Sequence, residues 1–111
     1  MKKIYVCSPY SGNIEFHTRY AREASRTIFD EGHIPIAPHL LFPQFMSEET
    51  ERDKALQMGI EILKLCDELW IFGKVISPGM EKEINEAHKL NIRIRKGIDM
   101  TDFINTFGFR F

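Results

Sequence analysis

Cysteine is scarce in this chain. Cys7 and Cys66 are its only two, far apart in apolar settings, with no CxxC spacing and no metal-like cluster with the histidines. That argues against a disulfide scaffold or a cysteine-based metal site. Both read as small buried apolar residues in a reduced, cytoplasmic setting. An excess of one charge is also missing. Lys+Arg total 15 and Asp+Glu 16, for a net charge of -1. This removes the electrostatic case for a nucleic-acid polymer as partner, but leaves room for a small anionic ligand held by a local cluster of donors. No apolar run approaches membrane-spanning length, so no membrane is expected as partner. The run after Met1-Lys2-Lys3 ends at Ser8-Pro9, too soon for a signal peptide. Repeats, low-complexity tracts and linkers are absent as well. What remains is 111 residues, 43% hydrophobic and 28% charged. That is one expected domain, residues 1–111, large enough for a real core around a small sheet.

Apolar runs alternate with amphipathic ones. Lys3-Ile4-Tyr5-Val6-Cys7 is β-rich and nearly all apolar, as in a strand buried on both faces. Residues 14–31 read as a helix, with Tyr20, Ala24 and Ile28 recurring every fourth residue beside Ala21, and Gly32 as its stop. Residues 33–38 are extended, and Pro35 and Pro38 suit an edge strand. Residues 39–50 read as a long loop, unusual in carrying Leu40, Leu41, Phe42, Phe45 and Met46, and therefore a lid or an interface. A helix at 51–65 turns Ala55, Leu56, Ile60, Leu63 and Cys66 toward the core. A strand at 67–72, a helix at 78–90, a strand at 92–95 and a short helix from Thr101 complete the chain. The alternation predicts an α/β three-layer sandwich with a parallel sheet of four or five strands, flavodoxin- or Rossmann-like, its first and third strands central.

The most informative stretch is Ser77-Pro78-Gly79-Met80-Glu81-Lys82-Glu83. Ser77 suits an N-cap, Pro78 the first helical position, and Gly79 a close backbone approach. Glu83 then falls in the second turn, near the strand tips where such sheets bind ligands, and shares a face with Gly79 and Met80. It is a candidate nucleophile, although spacing alone favours a solvated helix carboxylate. The loop after the first strand, with Ser8, Tyr10, Ser11, Gly12 and Asn13, offers hydroxyls, an amide and a helix N-terminus. That makes either a phosphate or sugar site or a plain turn with Asn13 as N-cap. Tyr5 reads as a core tyrosine whose phenol needs a buried partner, which a carboxylate could supply. His39 lies on the site side of the sheet, as a ligand contact or a loop histidine. Asp67 falls at the opposite edge and reads as structural; Trp70 reads as core. Arg19, Arg22, Arg26 and Arg52 are available to a phosphate or simply exposed.

Taken together, these residues resemble the nucleoside 2-deoxyribosyltransferase superfamily, which includes the deoxynucleoside 5'-monophosphate N-hydrolases. The first strand matches with Tyr5 as its active-site tyrosine. Cys66-Asp67-Glu68-Leu69-Trp70-Ile71 matches the strand entered through an aspartate, and Gly79-Met80-Glu81-Lys82-Glu83-Ile84 the turn leading to the catalytic glutamate at Glu83. The segment Ala37-Pro38-His39-Leu40-Leu41-Phe42-Pro43-Gln44-Phe45 is similar to short phage and bacterial relatives. Two positions depart from the pattern. Gly59 stands where the transferases carry an aspartate, and Ser77 where they carry another carboxylate, with Glu61 or His39 as possible substitutes.

The resemblance implies cleavage or transfer of an N-glycosidic bond on a nucleoside or nucleotide. Glu83 would be the nucleophile and Tyr5 its support. Ser8, Tyr10, Ser11, Gly12, Asn13, His39, Ser77, Gly79 and Met80 would bind substrate, with no metal or cofactor. The missing carboxylates leave a non-catalytic nucleotide-binding module as the alternative. The apolar loop, with Phe107, Phe109 and Phe111, predicts a homodimer or larger homo-oligomer, an expectation that the resemblance shares.

Overall fold

A computed structural model describes residues 1–110. Its elements run β1 (Lys3–Cys7), α1 (Ile14–Asp30), β2 (Ile34–Ile36), α2 (Pro38–Leu41), a 3₁₀ turn (Phe42–Gln44), α3 (Arg52–Leu63), β3 (Glu68–Ile71), α4 (Pro78–Lys89), β4 (Arg93–Lys96) and α5 (Met100–Phe107). The four strands form one parallel sheet in the order β2-β1-β3-β4, with Tyr5 opposite Ile36 on one side and Leu69 on the other. The predicted α/β architecture holds, with β1 and β3 central and the proline-bearing β2 at an edge.

The alternation of side chains along β1 assigns the two layers of helices. Ile4 and Val6 pack with Tyr20, Ala24, Ile28 and Trp70 on the α1/α5 face. Tyr5 and Cys7 point the other way, into a core with Leu63, Leu69, Met80 and Ala87 on the α3/α4 face. Tyr5 and Cys7 therefore face the helix that carries Glu83.

Local chemistry explains most boundaries. The Asn13 side chain accepts from the Phe16 N–H and starts α1. Gly32, at φ +87, turns the chain after α1. Asp67 is structural, its Oδ2 accepting from the Lys3 backbone N–H at 2.7 Å. Trp70 is core, 2% exposed, with its indole N–H on Glu68 Oε1 at 2.9 Å.

Two segments differ from the sequence expectation. The stretch expected as a loop at 39–50 contains α2 and the 3₁₀ turn, because Pro38 takes an early helical position and Pro43 suits a tight turn. Phe42 is buried by this fold, at 6% exposure, whereas Leu41 and Phe45 stay out at 52% and 65%. The tail is also not uniformly exposed. Phe109 packs edge-on against Phe16 under the Arg19 guanidinium, and Arg110 Nε donates to the fully buried Glu23 at 2.5 Å. Phe107 is exposed, and Phe111 lies outside the described residues. Among the described residues no helix is long and apolar enough to cross a membrane.

Candidate functional site

The chain leaves β1 through α1 toward β2, then returns past β1 through α3 to β3. The two directions of winding part between β1 and β3, which opens a crevice at their carboxyl ends. Ser8 follows the tip of β1, and α4 begins just beyond the tip of β3. Ser77 caps α4 by accepting from the Met80 N–H at 3.2 Å, and Pro78 follows at the first position. One and a half turns on, Glu83 points inward and is 4% exposed.

The Glu83 carboxylate is held from the sheet. Tyr5 Oη donates to its Oε2, and the Cys7 thiol reaches its Oε1 at 3.6 Å, with the Met80 carbonyl 3.8 Å from the same sulfur. Burial pushes the Glu83 acid up to about 7, against the opposing pull of the Tyr5 and Cys7 hydrogen bonds. Burial, then the neighbouring Glu83 charge, pushes the Tyr5 phenol and the Cys7 thiol far up, so both are donors at neutral pH. A carboxylate that is half ionised near neutrality and fixed by two donors is poised for nucleophilic or acid–base work.

A cavity opens over this pair. The tip of β1 and its loop contribute Tyr5, Ser8, Tyr10 and Ser11; α4 and its cap contribute Ser77, Gly79, Met80 and Glu83. The α2 segment and the turn after it cover one side with Pro38, His39, Phe42, Pro43 and Met46. Along α3, Arg52, Ala55, Leu56 and Gly59 form the opposite wall, with Glu48 beside Arg52. Arg52 donates to Glu48 at 3.1 Å and to Ser11 Oγ at 3.3 Å, so the cavity's cation is already paired. His39 lies against the Tyr10 ring at 4.9 Å between centroids; burial, then the Arg52 and His17 charges, lower its pKa to about 4. It is neutral at pH 7. Ser8 Oγ and His39 Nδ1 are buried without a hydrogen-bond partner.

Of the residues singled out in the sequence, Glu83, Tyr5, Ser8, Tyr10, Ser11, His39, Ser77, Gly79 and Met80 meet around this one cavity. Gly12 and Asn13 do not line it. Gly12 is an exposed turn residue at φ +91, and Asn13 spends its side chain on the α1 cap. Arg26 pairs with Asp30 on the surface at 3.0 Å, and Glu61 with Lys64 at 2.5 Å. The sequence pattern turns Ala55 and Leu56 toward the core and does not single out Glu48. The i, i+3, i+4, i+7 spacing of Arg52, Ala55, Leu56 and Gly59 marks one helix face, and was the available signal.

Gly59 has a specific place in this geometry. A Cβ there would sit 3.0 Å from Tyr5 Oη and 3.9 Å from Glu83 Oε2. Elsewhere in a helix, Gly→Ala gains about 1 kcal/mol. Here the Tyr5 ring is fully buried and tied to Glu83, so it cannot yield without loosening that bond. Gly59→Ala is expected to weaken the Tyr5–Glu83 hydrogen bond by about 1 kcal/mol, which offsets the helix gain and leaves the melting temperature nearly unchanged. A melting temperature raised by the full helix gain would show that Tyr5 tolerates the methyl group. Among the described residues no group of three or more His, Cys, Asp and Glu side chains could hold a metal ion.

No curated protein matches the chain. Among solved structures, it is similar to the 2-deoxyribosyltransferase of the psychrotolerant bacterium Bacillus psychrosaccharolyticus, with a TM-score of 0.66 and 19% identity over 85% of this chain and 70% of that one. It is also similar to a 2-deoxyribosyltransferase from Leishmania mexicana, with a TM-score of 0.61 and 17% identity over 86% of this chain. The chain spans 63% of the Leishmania protein's length. These likenesses establish a shared fold. The family model described as a domain of unknown function, DUF7768, matches residues 2–97, and the chain belongs to that family.

Proposed function

We propose that the chain, as one nucleoside 2-deoxyribosyltransferase-like domain over residues 1–111, cleaves or transfers the N-glycosidic bond of a nucleoside or nucleotide. The observation that carries this is the buried Glu83 carboxylate, fixed by Tyr5 at the floor of a cavity between the tips of β1 and β3. Glu83 attacks the anomeric carbon as the bond to the base breaks. The bonding pair leaves with the base, which takes a proton from solvent, and a glycosyl ester forms on Glu83. Water, or the nitrogen of a second base, then attacks the same carbon and releases the carboxylate. Tyr5 holds Oε2 throughout, while Ser8, Tyr10, Ser11 and Ser77 offer hydroxyls to the sugar and any 5'-phosphate. The α2 segment limits water. Kinship to the deoxynucleoside 5'-monophosphate N-hydrolases and to the short phage and bacterial branch belongs to the same proposal. A reducing, cytoplasmic setting does too, supported by two unpaired buried thiols.

The test is incubation with a panel of nucleosides and their 5'-monophosphates, with and without an acceptor base. Release or exchange of free base is expected. One observation favours a second reading, ligand binding without turnover. Gly59 lies beside the Tyr5–Glu83 pair, and the cavity's other carboxylate, Glu48, is tied to Arg52. Saturable binding without base release would select that reading.

We also propose self-association. Leu41 and Phe45 on the covering segment, and Val75 and Ile76 before α4, are 52%, 65%, 76% and 44% exposed. Such exposed apolar groups suit a closed symmetric dimer or a larger ring. Sedimentation at micromolar concentration is expected to show a dimer or larger species, with Phe45→Glu shifting it toward monomer. A clean wild-type monomer refutes this.

A further inference from the structure

Two residues that line the cavity each carry a polar atom that the fold buries and leaves without a partner, Ser8 Oγ and His39 Nδ1. A neutral buried polar group without a hydrogen bond is costly, and at a cavity wall the group that repays it is the ligand. The two atoms come from different parts of the fold. Ser8 stands directly after Cys7 at the tip of β1, beside the carboxylate floor. His39 stands on α2, within the mostly apolar cover made by Pro38, Phe42, Pro43 and Met46. A nucleoside has the matching division: a hydroxyl-rich sugar whose anomeric carbon must reach Glu83, and a flat heteroaromatic base with a polar edge. Resting on the nucleoside reading above, we propose that His39 is a specificity-determining residue whose Nδ1 hydrogen-bonds the edge of the base.

Its surroundings suit this task and not that of binding a phosphate. The ring leans on Tyr10 at an interplanar angle of 38°, which fixes its direction. The charged and titratable groups that act on it are Arg52 and His17, both of which disfavour its cationic form, as does burial. A neutral imidazole pairs one nitrogen with an uncharged donor or acceptor, as the edge of a base requires. An anion would call for a cation, and the cavity's Arg52 is already on Glu48 and Ser11.

The test compares binding and turnover of natural nucleosides with those of an apolar isostere, 1-(2-deoxyribosyl)indole. The variants are His39→Phe, which keeps a flat ring and loses both nitrogens, and His39→Asn, whose amide replaces Nδ1. Wild type is expected to favour its best natural nucleoside over the indole analogue by tenfold or more. In His39→Phe that preference shrinks by about tenfold, one hydrogen bond's worth. In His39→Asn it is largely restored, whereas His39→Gln, which mimics the other ring nitrogen, does not restore it. Ser8→Ala weakens the natural and indole compounds alike. The His39→Phe penalty is equal for a nucleoside and its 5'-monophosphate. An unchanged preference in His39→Phe, or a penalty confined to the monophosphate, overturns the assignment while the glycosidic reading stands. If wild type neither binds nor cleaves any member of the panel, that reading fails and His39 falls with it.

Discussion

Glu83→Gln is expected to abolish base release and, at pH 8, to make the protein more stable. Removing the attacking carboxylate should cost about 10⁴-fold or more in turnover, the scale seen when a covalent nucleophile is lost. The stability gain follows from the same burial. The folded Glu83 holds its proton up to about pH 7, against an ordinary 4.5, because its ionised form is poorly solvated inside the site. Between those two values the folded state carries a proton that the unfolded chain has lost, so wild-type stability falls as pH rises through that window. The full difference is worth about 3 kcal/mol, reduced by whatever relaxation the site allows. Glutamine has no charge to bury and still accepts from Tyr5. Melting curves of the two proteins should therefore nearly coincide at pH 4.5 and separate by about 5 °C or more at pH 8, with the variant higher. A variant less stable at both pH values would mean that the carboxylate serves packing rather than chemistry.

Tyr5→Phe is the second large effect. Phenylalanine fills the same volume on the α3/α4 face of β1, so the core beneath the site is retained. What disappears is the donor to Oε2. A hydrogen bond to a charged group contributes about 1.5–3 kcal/mol, which sets an expected loss of about 100-fold in kcat/KM. The phenol also offsets part of the burial that raises the Glu83 acid. Without it that acid rises further, and the acidic limb of the pH–rate profile moves to higher pH. A loss of rate with an unmoved limb would place Tyr5 against the substrate rather than against Glu83.

Much of the fold was legible because its signals are local. The two-residue alternation of β1 and the four-residue recurrence of Tyr20, Ala24 and Ile28 name their elements, and Ser77-Pro78 marks the start of α4. The order of elements then implies a parallel sheet with β1 and β3 at its centre, which sets Glu83 above Tyr5. The sequence marks Cys7 only as a small buried residue. Its alternation with Tyr5 places it on the same face, but its approach to Glu83 depends on how α4 packs across the sheet. The covering segment was hidden for another reason. One turn of helix followed by a 3₁₀ turn is too short to show a period, and Pro38 and Pro43 read equally well as loop. Gly12 and Asn13 sit in the loop that the sequence assigns to the site, yet α1 begins at Ile14 and draws the Asn13 side chain onto its own N-terminus. The tie between Glu23 and Arg110 joins distant parts of the chain, and no local pattern announces it.

The central claim is that Glu83 bonds to the sugar during turnover. A nucleoside carrying fluorine at the sugar 2-position slows both steps by disfavouring the oxocarbenium-like transition state, so the glycosyl-enzyme can accumulate. Mass spectrometry of the protein after incubation with such an analogue, followed by peptide fragmentation, is the direct measurement. The expected result is one added sugar mass per chain, localised to Glu83 and absent in Glu83→Gln. Base release that continues in Glu83→Gln, or an adduct on any other residue, would contradict the account.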